Sequence, residues 1–350
     1  MQHVITLQPS GRSFGCSGDI PILKAGLDDG VQLPFSCRSG MCRSCRGRLV
    51  TGSVDYGPVH PAYLSEADKA AGHVHLCQAK ALSDCVIQIQ ELDPSLAFPV
   101  KAMPTRVLAM DRLADDVMRL QLGVPANEPL RFHAGQYVDI LTKDGLRRSY
   151  SMANAPSTDG VRQIELHIRH MPGGQFGGQV FEHMQQRDLL RIEGPHGQFY
   201  LREDSDKPMV LLASGTGFAP IKSLIEHSLT KGLRRPMHLY WGGRTKADLY
   251  LHELATAWAQ AHEHIRYTPV LSDATPACAW QGRTGFVHRA VLQDVADLSA
   301  SQVYACGAPI VVESARREFT ALRGLPENAF FADAFVSEAD KALQAQRSAC

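Results

Sequence analysis

The sequence is marked first by what it does not contain. Lys+Arg and Asp+Glu both total 36 over 350 residues, so the chain has no formal net charge. Nothing global attracts nucleic acid or an anionic membrane. No stretch approaches the ~18 uninterrupted apolar residues of a membrane helix. The opening "MQHVITLQPSGRSFGC" lacks a charged leader followed by an apolar run, so no signal peptide is expected. There is no internal repeat and no low-complexity tract. The expected setting is cytoplasmic, where thiols stay reduced and clustered cysteines do metal or redox work. Nine cysteines, an odd number, also fit a full disulfide framework badly.

What is present falls into three textures, as two or three domains at this length would predict. Residues 1–93 mix short alternating segments ("HVITL", "CVIQIQEL") with a helical stretch carrying Ile22, Leu23 and Leu27 and closed by Gly30. Three prolines in quick succession mark a linker at 94–100. Over 101–203 the period is two: Met118, Leu120 and Leu122 alternate with polar residues, as do Ile164, Leu166 and Ile168. With Gly/Pro turns such as "PGGQFGG", this predicts an antiparallel barrel. Over 204–340, apolar runs ("MVLLAS", "MHLYWGG", "IRYTPVL", "QVYACG") alternate with helical patterns such as Ile221, Leu224, Ile225 and Leu229. That alternation predicts a doubly wound parallel sheet. Residues 341–350 read as a tail.

Thirteen residues, "CRSGMCRSCRGRL", hold three cysteines and four arginines. Cys37, Cys42 and Cys45 have the spacing C-x4-C-x2-C, and Cys77 follows in "HVHLCQA". Four thiolates can hold zinc or an iron–sulfur cluster. Structural zinc sites present two close pairs, whereas three ligands on one loop and one distant ligand is the plant-type 2Fe–2S pattern. Ser36, Ser39, Gly40 and Ser44 are small enough for backbone amides to approach bridging sulfides. A Rieske centre needs two histidine ligands, and His73 and His75, read as surface or turn residues, do not supply that spacing. Cys85 is read as core; Cys16, Cys278 and Cys350 carry no motif.

"RRSYSMAN" can place a guanidinium on a pyrophosphate, a phenol against a ring and a hydroxyl beside it, although "RSYS" alone could be a strand end. "ASGTGFAPI" after an apolar run is a strand–Gly-turn–helix suited to phosphate. "YACGAP" is a second strand end facing the same crevice. With these motifs in this order the chain resembles the ferredoxin–flavin–nicotinamide reductases, the electron-transfer components of multicomponent aromatic-ring oxygenases. It is equally similar to the CDP-6-deoxy-glucoseen reductases.

The resemblance covers roughly residues 3 to 337. It implies an N-terminal 2Fe–2S ferredoxin β-grasp domain (α+β), a central six-stranded FAD-binding β-barrel, and a C-terminal α/β NAD-binding domain. Carried over residue by residue, it puts Arg148 on the FAD pyrophosphate, Tyr150 on the isoalloxazine and Ser151 at the hydride-accepting nitrogen, with Ser149 in the same motif. His167, Ile168, Arg169, Gly173 and Gly174 match the second flavin segment. Gly215, Thr216 and Gly217 match the nicotinamide-nucleotide turn, with Cys306 and Gly307 beside the nicotinamide and Phe335 over the other flavin face. Asp248 is available for a ribose hydroxyl, which favours NADH, while Arg244 and Lys246 keep NADPH open. Two positions depart from the family pattern: Arg43 and Gly177 stand where Gly and Ser or Thr are usual.

The implied activity is an oxidoreductase passing electrons from NADH to FAD, to the 2Fe–2S cluster, and on to a protein partner. The partner is expected to be a Rieske-type terminal oxygenase, alternatively a deoxysugar dehydrase, and the chain a monomer. A redox sensor without turnover would not need "GTGFAP" or "RSYS". Arg43 and Arg46 flank the ligands and read as a docking face for an acidic partner; Arg48 reads as a solvated strand residue.

Overall fold

A computed structural model describes residues 1–93, 95, 97–142, 145, 147–275 and 278–336. The expected tail 341–350 with Cys350, residues 337–340, and residues 94 and 96 of the expected linker lie outside these. The chain forms two compact units, residues 1–97 together with the chain from Ala332, and residues 98–331.

In the first unit, strands β1 (Gln2–Gln8), β2 (Ser13–Ser17), β3 (Arg46–Thr51), β5 (His73–His75) and β7 (Cys85–Gln88) form one sheet in the order β2-β1-β7-β3-β5. A two-stranded ribbon joins β4 (Val54–Asp55) to β6 (Lys80–Ala81). β1 runs antiparallel to β2 and parallel to β7, a mixed sheet of the expected β-grasp kind. Helix α1 (Ile22–Asp28) buries Ile22 and Leu23 in a core with Ile5, Leu7, Phe14, Leu33 and Ile87. The short helix α2 (Glu66–Ala70) is held by a capping box between Ser65 and Asp68. Strand register brings two distant cysteines to one place. β3 pairs Arg46 with His75 of β5, so Cys45, just before β3, and Cys77, just after β5, emerge at the same end of the sheet.

The second unit begins with a six-stranded antiparallel sheet in the order β11-β10-β13-β8-β9-β12. Its strands are β8 (Lys101–Ala114), β9 (Val117–Gly123), β10 (Tyr137–Leu141), β11 (Arg147–Ser151), β12 (Gln163–Arg169) and β13 (Leu189–His196). An isolated bridge between Met152 and Leu166 joins the two ends. Leu120, Leu122, Ile164, Leu166 and Ile168 fill the interior, so the period of two was a true signal. "QFGGQVFE" departs from expectation: it forms helix α3 (Gln175–Glu182). Its glycines disfavour helix by about 1 kcal/mol each, but Phe176 and Val180 bury against the barrel core, and packing overrides propensity.

The remaining sheet, ordered β17-β16-β15-β14-β18-β19, comprises β14 (Met209–Ser214), β15 (Met237–Gly243), β16 (Ile265–Leu271), β17 (Arg283–Thr284), β18 (Gln302–Gly307) and β19 (Phe330–Ala334). β14 is parallel to both β15 and β18. Helices α4 (Phe218–Thr230), α5 (His252–Ala261), α6 (Val287–Asp294) and α7 (Pro309–Arg323) connect the strands. Ser214, Gly243 and Gly307 therefore close the same, C-terminal, edge of the sheet, the edge at which such folds bind nucleotides. Among the described residues no helix is long and apolar enough to cross a membrane.

Candidate functional site

The loop before β3 turns tightly. Arg38, Gly40 and Arg43 have φ of +53°, +78° and +62°. These left-handed residues turn backbone amides toward sulfur: the N–H groups of Ser39 and Cys42 donate to Cys37 Sγ at 3.5 and 3.4 Å, and that of Cys37 donates to Cys42 Sγ at 3.5 Å. Cys77 hydrogen-bonds with Cys45, so the loop and the end of β5 meet. None of the four forms a disulfide. A hydrogen bond from Cys42, joined by the amides, pushes the Cys37 thiol down to about 5 against the effect of burial. The same bond and burial push Cys42 up, and the bond to Cys45 with burial pushes Cys77 up. Convergent thiols that cannot all ionise side by side, yet receive amide hydrogen bonds, form a donor set suited to cationic iron. The residues fit a 2Fe–2S cluster.

The roles of three neighbours were not foreseen. His75 is fully buried rather than at the surface, and its ring Nδ1 lies 2.8 Å from the Gly40 carbonyl, bracing the loop. Burial holds it neutral, with its pKa lowered to about 4. Arg46 turns inward to pair with Asp68 at 2.7 Å, its side chain only 15% exposed, so its charge is already used and the docking role expected of it loses its basis. Asp333, from the chain end that belongs to this unit, is buried and accepts from Ser36, while Ser44 Oγ donates to the Ala332 carbonyl at 3.3 Å. Arg43 explains the usual Gly at its position: only Gly adopts φ +62° without a steric penalty.

On β11 the side chains alternate. Ser149 faces away from Arg148 and Tyr150, donating to Asp139 Oδ1 at 2.6 Å, beside Arg147, which pairs with Glu193. Arg148 and Tyr150 lie on the opposite face, with the Tyr150 ring 5.5 Å from that of Phe176 on α3. Burial raises the Tyr150 pKa, so its phenol stays protonated. Ser151 Oγ is buried with no hydrogen-bond partner among the described residues. An orphaned hydroxyl of this kind is unfavourable unless a ligand accepts or donates there, so the residues fit a flavin. Gly174 caps α3 without a side-chain bond, leaving first-turn amides for phosphate. Gly177 lies in that first turn, where a Cβ would come within 3.3 Å of the Arg169 carbonyl and His170 Cα. The missing hydroxyl thus accompanies close packing. Ile168 is core, and His167 bonds Glu165 and Tyr250 at 2.8 and 2.9 Å.

The nucleotide turn, Gly215–Gly217, follows β14. Gly217 admits no side chain, since a Cβ would collide with the Cys306 carbonyl. Gly307 has φ +134° and would meet the Ser214 carbonyl at 2.5 Å. The two strand ends therefore interlock, bringing Cys306 and Gly307 to the turn. The Trp241 indole donates to the Gly215 carbonyl at 3.0 Å while its face stacks on Phe218 at 3.8 Å. Arg169 Nη1 lies 3.1 Å from where a Gly215 Cβ would stand, and its guanidinium pairs with Asp116 and Asp248 at 3.2 and 2.9 Å. Asp248 Oδ2 accepts the amides of Arg244 and Thr245 at 3.0 and 2.9 Å. Burial opposes its ionisation, but these amides and Arg169 hold its carboxyl below the usual range. Phe335 lies just beyond β19, partly exposed.

Comparisons with known proteins agree with this geometry. Residues 5–82 match a 2Fe-2S iron-sulfur cluster binding domain, 104–200 an oxidoreductase FAD-binding domain and 211–317 an oxidoreductase NAD-binding domain. The chain is 41% identical over 334 residues to the CDP-6-deoxy-L-threo-D-glycero-4-hexulose-3-dehydrase reductase of Yersinia pestis, covering 95% of this chain and 98% of that protein. It is 35% identical over 345 residues to the terephthalate 1,2-dioxygenase reductase component 1 of Comamonas sp, covering 96% and 98%. The crystal structure of the Amycolatopsis cytochrome P450 reductase GcoB superposes with a TM-score of 0.74 at 33% identity, covering 96% of this chain and 99% of that one.

Proposed function

Because the chain belongs to the ferredoxin–FAD–NAD reductase family, we propose that it oxidises NADH and hands the electrons singly to a deoxysugar dehydrase. When bound, FAD takes the pair from nicotinamide and the cluster carries single electrons onward, near −400 mV for plant-type centres. The observation supporting this acceptor is the 41% identity to a dehydrase reductase against 35% to a dioxygenase component. The second relative supports an oxygenase as the second reading.

In this reading Cys37, Cys42, Cys45 and Cys77 hold the cluster. Arg148 meets the FAD pyrophosphate, Tyr150 lies against the ring, and the Ser151 hydroxyl finds its partner at the flavin edge. The amides of the Gly215–Gly217 turn take the nicotinamide nucleotide's phosphates, and Cys306 and Gly307 flank its ring. His167 and Ile168 support β12 rather than touch a cofactor. A cavity of about 380 Å³ is lined by Asp115, Asp116, Asp248 and Asp273 and by Arg244, with Arg169 pairing with Asp116 and Asp248. Four carboxylates against two guanidiniums leave the lining acidic, which disfavours an additional ribose phosphate and supports NADH over NADPH.

The test is anaerobic reduction by NADH followed by stopped-flow mixing with each acceptor class. Faster reoxidation by the CDP-hexulose dehydrase supports the first reading; faster reoxidation by an oxygenase component supports the second. Equal use of NADH and NADPH would overturn the nucleotide assignment.

A further inference from the structure

A buried polar group lies between the flavin strand and the nucleotide turn and belongs to neither. Lys222, on α4, is 6% exposed. Its ammonium donates to the Ala153 carbonyl at 3.1 Å and pairs with Glu226 at 2.9 Å and Glu165 at 3.3 Å. The neighbouring Ser223 hydroxyl donates to the Asn154 carbonyl at 2.7 Å, and Asn154 Oδ1 accepts the Glu165 amide at 2.9 Å. Glu165 also meets His167 Nε2 at 2.8 Å, and His167 Nδ1 lies 2.9 Å from the Tyr250 hydroxyl. One neutral tautomer satisfies both bonds: Nε2–H donates to the carboxylate, and the phenol donates to Nδ1.

The place of these contacts in the chain gives them meaning. Ala153 and Asn154 directly continue the strand that carries Arg148, Tyr150 and Ser151. Lys222 and Ser223 lie on α4, the helix that Gly217 caps. The segments that would hold flavin and nicotinamide are thus fastened together within a few residues of each cofactor. An ammonium and two carboxylates are unfavourable to bury, and an apolar helix face would occupy the same space more cheaply. Apolar packing, however, tolerates small slides that a satisfied polar network does not.

We propose that the Lys222–Glu165 latch, with Ser223 beside it, is a positioning element that sets the nucleotide turn in register with the flavin strand for hydride transfer. The proposal rests on the reductase reading above. Hydride transfer needs its reacting atoms about 3–3.5 Å apart, and a shift near 1 Å can slow such a step about 100-fold.

Lys222→Met and the double variant Lys222→Met/Glu165→Gln test it on the full chain loaded with FAD and cluster. The double variant leaves no unpaired carboxylate at position 165, and the amide oxygen introduced there still accepts from His167. Four quantities are measured: FAD content, the NAD+ dissociation constant, the long-wavelength charge-transfer absorbance of the reduced protein with NAD+, and the anaerobic rate of flavin reduction. Both variants are expected to keep FAD and to bind NAD+ within about twofold of wild type. Flavin reduction should slow at least 10-fold and the charge-transfer band should weaken. A wild-type reduction rate in the double variant would reduce the pair to mutual charge balance and overturn the proposal. Loss of FAD from the double variant would assign the group to barrel folding and overturn it equally. A wild-type protein whose flavin NADH does not reduce would overturn the reductase reading itself.

Discussion

Arg43 shows how a single backbone angle can carry information the side chain hides. At φ +62° a residue with a Cβ is strained by about 1–2 kcal/mol. Arg43→Gly should therefore raise stability, by at most about 1 kcal/mol once the freer unfolded chain is counted, seen as a higher midpoint in urea. An unchanged or lower midpoint would mean that contacts of the arginine outweigh the strain. At Cys45, buried beside Cys77, replacement by Ser should abolish the cluster's iron and visible absorbance while FAD stays bound. Survival of both signals would remove Cys45 from the ligand set. If Arg148 meets the FAD pyrophosphate as proposed, Arg148→Ala removes a charge-assisted contact worth roughly 1.5–3 kcal/mol, and the FAD dissociation constant should rise at least tenfold; equilibrium dialysis decides. These residues were legible in the sequence because their spacing is local. Lys222 was not: it sits among Ile221, Leu224 and Ile225 on α4, and its partner Glu165 lies on a distant strand. No window of sequence contains both.

At the scale of elements, the period of two in β9 and β12 identified barrel strands because their inner residues face a single core. Helix α3 escaped the same reading because glycine punctuates it, and only the burial of Phe176 and Val180 makes it helical. The interlock of β14 and β18 was also invisible, since it depends on two turns meeting across a sheet. Gly217→Ala should disturb it: the new methyl would come within 2.8 Å of Gly307 Cα, so stability should fall by about 1–3 kcal/mol. NADH affinity should fall with it, whereas the cluster spectrum should not change. Isothermal titration of NAD+ together with thermal melting would expose either failure of this expectation.

For the whole molecule, acid should weaken the fold through histidines held neutral inside it. Burial lowers the His238 pKa to about 4, and burial also lowers those of His167 and His288. Their folded pKa values lie below the ordinary 6.5, so the unfolded chain takes up protons first as pH falls. This stability is present in full above about pH 6.5 and is lost on descent toward pH 4. His238, bonded to Thr268 across β15 and β16, should account for about 1–2 kcal/mol after allowance for its partial exposure. His238→Gln should flatten the fall in unfolding free energy between pH 7 and pH 5, and an identical slope would refute the assignment. Domain order and cofactor classes were readable along the chain, because each motif occupies its own stretch. The fastening of one stretch to another was not.

Trp241 gives the protein a built-in optical probe. Its indole is fully buried, bonded to the Gly215 carbonyl and stacked on Phe218, directly beneath the turn assigned to the nucleotide. Only Trp258 and Trp280 share its absorption. A dinucleotide settling on the turn must repolarise that carbonyl and hence the excited indole joined to it. The chain's own ultraviolet emission should therefore shift or dim as NAD+ is added, with no label attached, and Trp241→Phe should silence the response.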